Sequence, residues 1–376
     1  MRNRFYTANV NTPSGVGKMP YCSKCGARLE EDEDFCPECG TPVVSPRAEP
    51  ERVSARRPLS ILAIALIAIV VIAVVIAVVA ALTFSPIHTV GPVTRGMSVP
   101  SVSGVDVLNL DLTAEVAGVT IIFEDLTGEW VSPSIILNAS ATAKVGVFGW
   151  ADFLERYMPV WHDETEGGVL TVTVGQDVDP TSWPQFSSLN VTFDIRIDSS
   201  MNARVNVMTA TGGIVVDTQA GVVLDSLTLE VITGGIEVRL VEDVVVAGDV
   251  SIEVTTGGVK LFWENVVVPD DVRVDAMTTT GGVEVDVAAD ERLQGDITLN
   301  AEATTGGVDF TIDIQGDVGA LIKSSVTTGG IDVDRRVGFS GPTALLQSSN
   351  YPAGRNFDVN LRVTTGGIEI DAKHTP

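Results

Sequence analysis

Cysteine is almost absent from this sequence: none of its four lies beyond residue 39 of 376. The long remainder cannot be stapled by disulfides and must fold by burying apolar surface. Histidine is as scarce, with only His88, His162 and His374. None belongs to a nucleophile motif, so His-activated catalysis has little to work with. Basic charge is also short: 24 Lys and Arg face 49 Asp and Glu, a formal charge of −25. The deficit is local. Residues 1–58 carry nine basic and eight acidic side chains; residues 85–376 carry fifteen and forty-one. So acidic a segment repels phosphate backbones, which excludes nucleic acid as its partner.

Charge of either sign is missing from Leu59 to Phe84, a run of 26 residues. About 20 apolar residues cross a bilayer, so the run predicts a single transmembrane α-helix over 59–84. Arg47, Arg52, Arg56 and Arg57 precede it in a linker at 42–58, and only Arg95 follows closely. The positive-inside rule then predicts a cytoplasmic N-terminus and an extracellular C-terminal domain: a single-pass protein of the cell membrane, with the lipid bilayer as a partner. The cysteines fall on the reducing side of that arrangement.

The four cysteines stand as Cys22-Ser23-Lys24-Cys25-Gly26 and Cys36-Pro37-Glu38-Cys39-Gly40. Two C-x-x-C pairs, each followed by glycine, form two knuckles whose four thiolates can close a tetrahedral site. We read residues 21–41 as a zinc ribbon holding structural Zn²⁺ on Cys22, Cys25, Cys36 and Cys39. So short a segment has almost no core, and the metal must supply most of its folding energy. Residues 1–20 lack apolar periodicity and read as disordered, or as a mis-assigned start ahead of Met19.

The second half of the chain repeats itself. Thr-Gly-Gly recurs at Thr211, Thr233, Thr256, Thr280, Thr305, Thr328 and Thr365, each time followed by Ile or Val. The first glycine advances by 22, 23, 24, 25, 23 and then 37 residues. Apolar residues alternate on both sides, as in Leu227-Thr228-Leu229-Glu230-Val231 and Val283-Glu284-Val285-Asp286. Period two in Val, Ile and Thr is the strand signal, and glycine supplies the positive φ of a corner. The expected fold class is mainly β: a parallel β-solenoid of ~23-residue rungs over 105–376, with a stalk at 85–104. An antiparallel β-sandwich built of Gly-Gly hairpins is the alternative. Gly167-Gly168, about two periods upstream, extends the stack backward, with a degenerate rung near Leu189 to Ile197.

The Thr-Thr-Gly-Gly-Ile/Val corners, followed by short acidic strands, resemble the adhesin-type β-solenoid domains of bacterial and archaeal envelope proteins. The resemblance covers roughly Val105 to Asp371. It implies a solenoid outside a membrane anchor, with no catalytic residues to carry over. The cysteine segment likewise resembles the short zinc ribbons that begin many prokaryotic membrane proteins.

Other features are fewer. Trp150, Phe153 and Tyr157 suit one face of a short helix that Pro159 ends before Trp161; the segment reads as a cap over the stack or as an aromatic platform. Outward acids recur at Glu237, Glu284, Asp309, Asp332 and Glu369, and at Asp217, Asp286, Asp334 and Asp371. They read as a solvated face, with weak Ca²⁺ binding as the alternative. The long last period marks a loop between Arg335 and Asn356. The sequence thus implies no enzyme but a membrane-anchored, adhesin-like surface scaffold for an extracellular protein or glycan. Alternatives are a sensor relaying to a cytoplasmic protein at the ribbon and, further off, a carbohydrate-active enzyme.

Overall fold

A computed structural model describes residues 21–22, 24–29, 35–42, 69–76, 88–127, 133–145, 151–176, 178 and 186–376. The chain divides into two units, Met1–Val78 and Val79–Pro376. The expected disordered start and most of the linker lie outside the described residues.

The first unit holds the cysteine knuckles and a helix over residues 69–76. The expected transmembrane helix at 59–84 is corrected. Among the described residues no helix is long and apolar enough to cross a membrane. Eight helical residues rise about 12 Å, against a hydrocarbon core of about 30 Å. The rest of 59–84 lies outside the described residues. The single-pass localisation and its topology rested on that helix, and both are withdrawn with it.

The second unit is strand-rich. Its strands are β1 (His88–Pro100), β2 (Val107–Val116), β3 (Gly118–Glu124), β4 (Pro133–Val145), β5 (Val160–Glu166), β6 (Val169–Gly175) and β7 (Phe186–Asp198). Then come β8 (Asn202–Thr211), β9 (Ile214–Asp217), β10 (Val223–Thr233), β11 (Ile236–Leu240), β12 (Val245–Val246), β13 (Val250–Thr256) and β14 (Val259–Glu264). The long β15 (Val272–Ala289), β16 (Ile297–Gln315) and β17 (Val318–Val337) are followed by the short β18 (Phe339–Ser340) and β19 (Leu345–Ser348), and β20 (Arg355–Thr375) ends the series. A 3-10 turn at Ala151–Tyr157 precedes β5.

The fold class expected from the sequence, a parallel β-solenoid of ~23-residue rungs, is corrected. All these strands belong to one 20-stranded sheet, nearly closed and barrel-like. Its strands run in both directions: β4 is antiparallel to β1 and to β7, and β5 to β6. Nor is chain order kept, because β20 lies between β16 and β17, parallel to both. The hairpin alternative fails as well. Thr-Gly-Gly is not a hairpin tip; Gly281-Gly282 lies beside Gly306-Gly307 in parallel register, and Gly306-Gly307 beside Gly366-Gly367. The one Gly-Gly hairpin is Gly167-Gly168, which joins β5 to β6 with φ of 60° and 82°. The expected rung at Leu189 to Ile197 is part of β7, and the expected stalk contains β1.

The corner explains the repeat. At Gly234, Gly257, Gly281, Gly306 and Gly366 φ lies between 140° and 149°, and an added Cβ would stand 1.4–1.7 Å from the neighbouring layer's glycine carbonyl oxygen. No rotamer relieves a clash with backbone, so only glycine fits. Neighbours complete the corner: Gly234 N–H donates to Thr256 O at 2.9 Å and Ile236 N–H to Gly258 O at 3.0 Å. Inside, side chains stack in columns, as in Val205, Leu227, Val250, Val274, Leu299 and Val359, all 0–1% exposed. In the aromatic segment Leu154, Tyr157 and Met158 are buried and Phe153 and Trp161 partly so, while Trp150 lies outside the described residues.

Candidate metal centre and acidic face

Each knuckle is built by its own backbone. Gly26 N–H donates to Cys22 O at 2.8 Å and Gly40 N–H to Cys36 O at 2.8 Å. The returns match: Cys22 N–H donates to Ala27 O and Cys36 N–H to Thr41 O, both at 2.9 Å. Gly26 (φ 75°) and Gly40 (φ 66°) take the left-handed conformation this turn needs. Antiparallel bridges Tyr21–Arg28 and Phe35–Pro42 close the two loops alike. Cys22, Cys36 and Leu29 form the small buried cluster; Cys25 and Cys39 lie at the surface.

The four Sγ atoms fall within 4.8 Å of one another. Cys22 and Cys39 stand 3.6 Å apart, as do Cys25 and Cys36. A regular tetrahedron with metal–sulfur bonds of ~2.3 Å has edges of about 3.8 Å, so the donor set fits one ion. Thiolate character is unequal. The Thr41 hydroxyl, 3.1 Å from Cys39 Sγ, and the Thr41 N–H bring that thiol down to about 6. For Cys22 the N–H groups of Lys24 and Cys25 lower it. At Cys25 the Ala27 N–H also favours thiolate, but the sulfurs of Cys39, Cys36 and Cys22, with burial, push it up to about 12. Crowded sulfurs cannot all ionise unless a cation neutralises them. Thr41 carries no signal of its own in the sequence beyond its place two residues after Cys39.

The acids expected at equivalent positions form a register column on the outer face: Glu237, Lys260, Glu284, Asp309, Glu369 and Asp332. Lys260 breaks it at one end through an ion pair with Glu284. Arg239 pairs with Glu237 and, at 3.8 Å, with Asp217, and Arg335 pairs with Asp371 at 3.5 Å. Four consecutive carboxylates remain. Burial first, then the charges of Glu284, Asp286, Asp334 and Asp371, raises Asp309. Glu369 is raised by its hydrogen bond with Asp334, then by the charges of Asp334 and Asp309. This side-chain pairing across the β17–β20 boundary is invisible to the sequence period, which makes them members of different columns.

Beside the column runs a trench of about 820 Å³ floored by Gly258, Gly282, Gly307, Gly330 and Gly367. The acids line it without converging: among the described residues the cysteine quartet alone groups three or more His, Cys, Asp or Glu ligands about one point. His374, 3% exposed, is 3.0 Å from Ser349 Oγ at Nδ1 and 3.2 Å from Gly316 O at Nε2, which ties down the end of β20.

Two cysteine knuckles and a barrel-like β-sheet unit thus define the class of this chain. Residues 21–43 match the zinc-ribbon domain family. No curated protein sequence matches the chain. Among solved structures, a putative cell adhesion protein from Clostridium sporogenes is 14% identical, with a TM-score of 0.38 over 75% of this chain and 99% of that one. A putative adhesin from Bacteroides fragilis is 11% identical, with a TM-score of 0.28 over 74% and 97%. A putative adhesin from Parabacteroides merdae is 12% identical, with a TM-score of 0.25 over 75% and 96%.

Proposed function

We infer that this chain is a non-enzymatic, adhesin-like binding scaffold of the cell surface whose N-terminal ribbon holds one structural zinc ion. The observation that carries the scaffold reading is the trench, an extended surface with a glycine floor and a carboxylate rail rather than a closed pocket. Such a surface suits a partner that lies along several layers, a glycan strand or an extended protein segment. The resemblance of the repeated corners to adhesin-type domains supports the same reading. All four ligand positions of the ribbon are filled by cysteine, which leaves no open position for catalysis and supports a structural role for its metal. The full chain, applied to a glycan array and an extracellular-matrix protein panel, should bind without turnover. Binding should weaken at least about tenfold in the Asp309→Asn/Glu369→Gln variant, about 1.4 kcal/mol. Release of cleaved product, or binding unchanged by that variant, defeats the reading.

A further inference from the structure

The sheet does not end evenly at β17. On one side β17 is parallel to β20 over nearly its whole length. On the other, β19 covers it only at Leu321–Lys323. Beyond the corner, from Gly330 to Val337, no strand among the described residues pairs with that edge. A Cβ added at Gly330 would meet nothing within 4 Å, whereas Gly213, Gly235, Gly258, Gly282, Gly307 and Gly367 each face the next layer's carbonyl. Apolar positions that are sealed one layer in, such as Ile368 and Ile370, have only partly buried counterparts here in Ile331 and Val333. Val337 is 47% exposed. Apart from the Val333 N–H, which donates to the Asp332 carboxylate at 2.9 Å, the backbone groups of this edge lie above a half-open core as a template for another strand.

The charges on this edge say which strand. Asp332 and Arg335 flank Val333 on the outer face, and a bulge at Asp334 brings them into alternate positions. Asp334, which the bulge leaves without a register partner in β20, hydrogen-bonds Glu369. An identical edge, laid antiparallel, sets Val333 against Val333, Asp332 against Arg335, and Arg335 against Asp332. The opposite end of this face is β1, whose one charged side chain, Arg95, is already engaged by Glu155 at 3.0 Å and is not available to Asp332.

We propose that the free edge of β17 joins two copies of this chain, antiparallel about a two-fold axis through the Val333 pair. The contact is isologous and closes at a dimer. Opposite charges across strands attract and like charges repel, so reversing one partner changes two symmetric contacts at once.

Sedimentation equilibrium of the full chain tests it. The wild type should be dimeric. Asp332→Arg and Arg335→Asp should each weaken association at least about tenfold, and the double swap should restore it. Circular dichroism confirms folding. If Arg335→Asp misfolds through loss of its bond to Asp371, Asp332→Arg decides alone. A wild type that stays monomeric, a dimer indifferent to Asp332→Arg, or a mass that grows without limit through head-to-tail stacking each overturns the proposal.

Discussion

Cys39 and Thr41 show how one side chain adjusts a metal site. The hydroxyl stabilises the Cys39 thiolate, while the neighbouring sulfurs push Cys25 toward its thiol form. Elemental analysis of the intact protein should find one zinc per chain, and Cys36→Ser should abolish it because three thiolates and a water close the site poorly. The carboxylates give a second prediction. Glu369 and Asp309 are raised when folded, so the folded state holds protons that the unfolded chain has already released. The stability they lend is full below the ordinary carboxylate values of about 3.9 for Asp and about 4.3 for Glu, and is lost as pH rises through the folded values. Thermal melts should show Tm falling across that window. Asp334→Asn should flatten the fall and raise Tm at neutral pH; a Tm that climbs through the window would contradict the assignment.

Among elements, the corner is the informative one. Its two glycines look alike in the sequence but differ in the structure. Gly306 would place a Cβ 1.5 Å from Gly281 O, while Gly307 would place one 3.4 Å from Gly367 O. Gly306→Ala should cost more than about 4 kcal/mol, Gly307→Ala far less, and Gly330→Ala under about 1 kcal/mol, measured by denaturant titration. Equal losses at Gly306 and Gly330 would show that the layers do not meet as described. Strand positions and their inward faces were legible from alternation alone, since a one-residue slip exposes every apolar side chain. The first corner was not: it is Ala117-Gly118, opposite Gly212-Gly213, and it lacks the threonine–glycine signature. Gly167-Gly168 misled for the opposite reason, because a tight hairpin also needs glycine at positive φ. The knuckles were fully legible, since spacing alone fixes their geometry.

Across the whole unit, order was the illegible quantity. Layers with the same length and corner can neighbour one another in any sequence, so the period does not say that β20 lies inside β17. Longer-range side chains decide it. Arg362 meets Glu302 at 2.9 Å, Lys373 meets Asp313 at 2.6 Å, and Asn360 donates to Asn300 at 2.9 Å. Phe357, Val359, Leu361, Val363, Ile368 and Ile370 fill the core from this strand. At roughly 1.5–3 kcal/mol each, their burial is of the order of a domain's whole stability. A chain ending at Gly354 should therefore lose near-ultraviolet dichroism and aggregate; a cooperative melt in that variant would refute an interior place for β20.

On the ribosome, β17 leaves the exit tunnel before the strand it must touch. For that interval the nascent chain can lay β17 straight onto β16, since their corners stand 23 residues apart like the others. The native arrangement can form only once β20 is available, because β20 separates β17 from β16. The stretch from Gly338 to Gly354, which carries β18 and β19, supplies the length of chain that brings β20 back to a place inside β17.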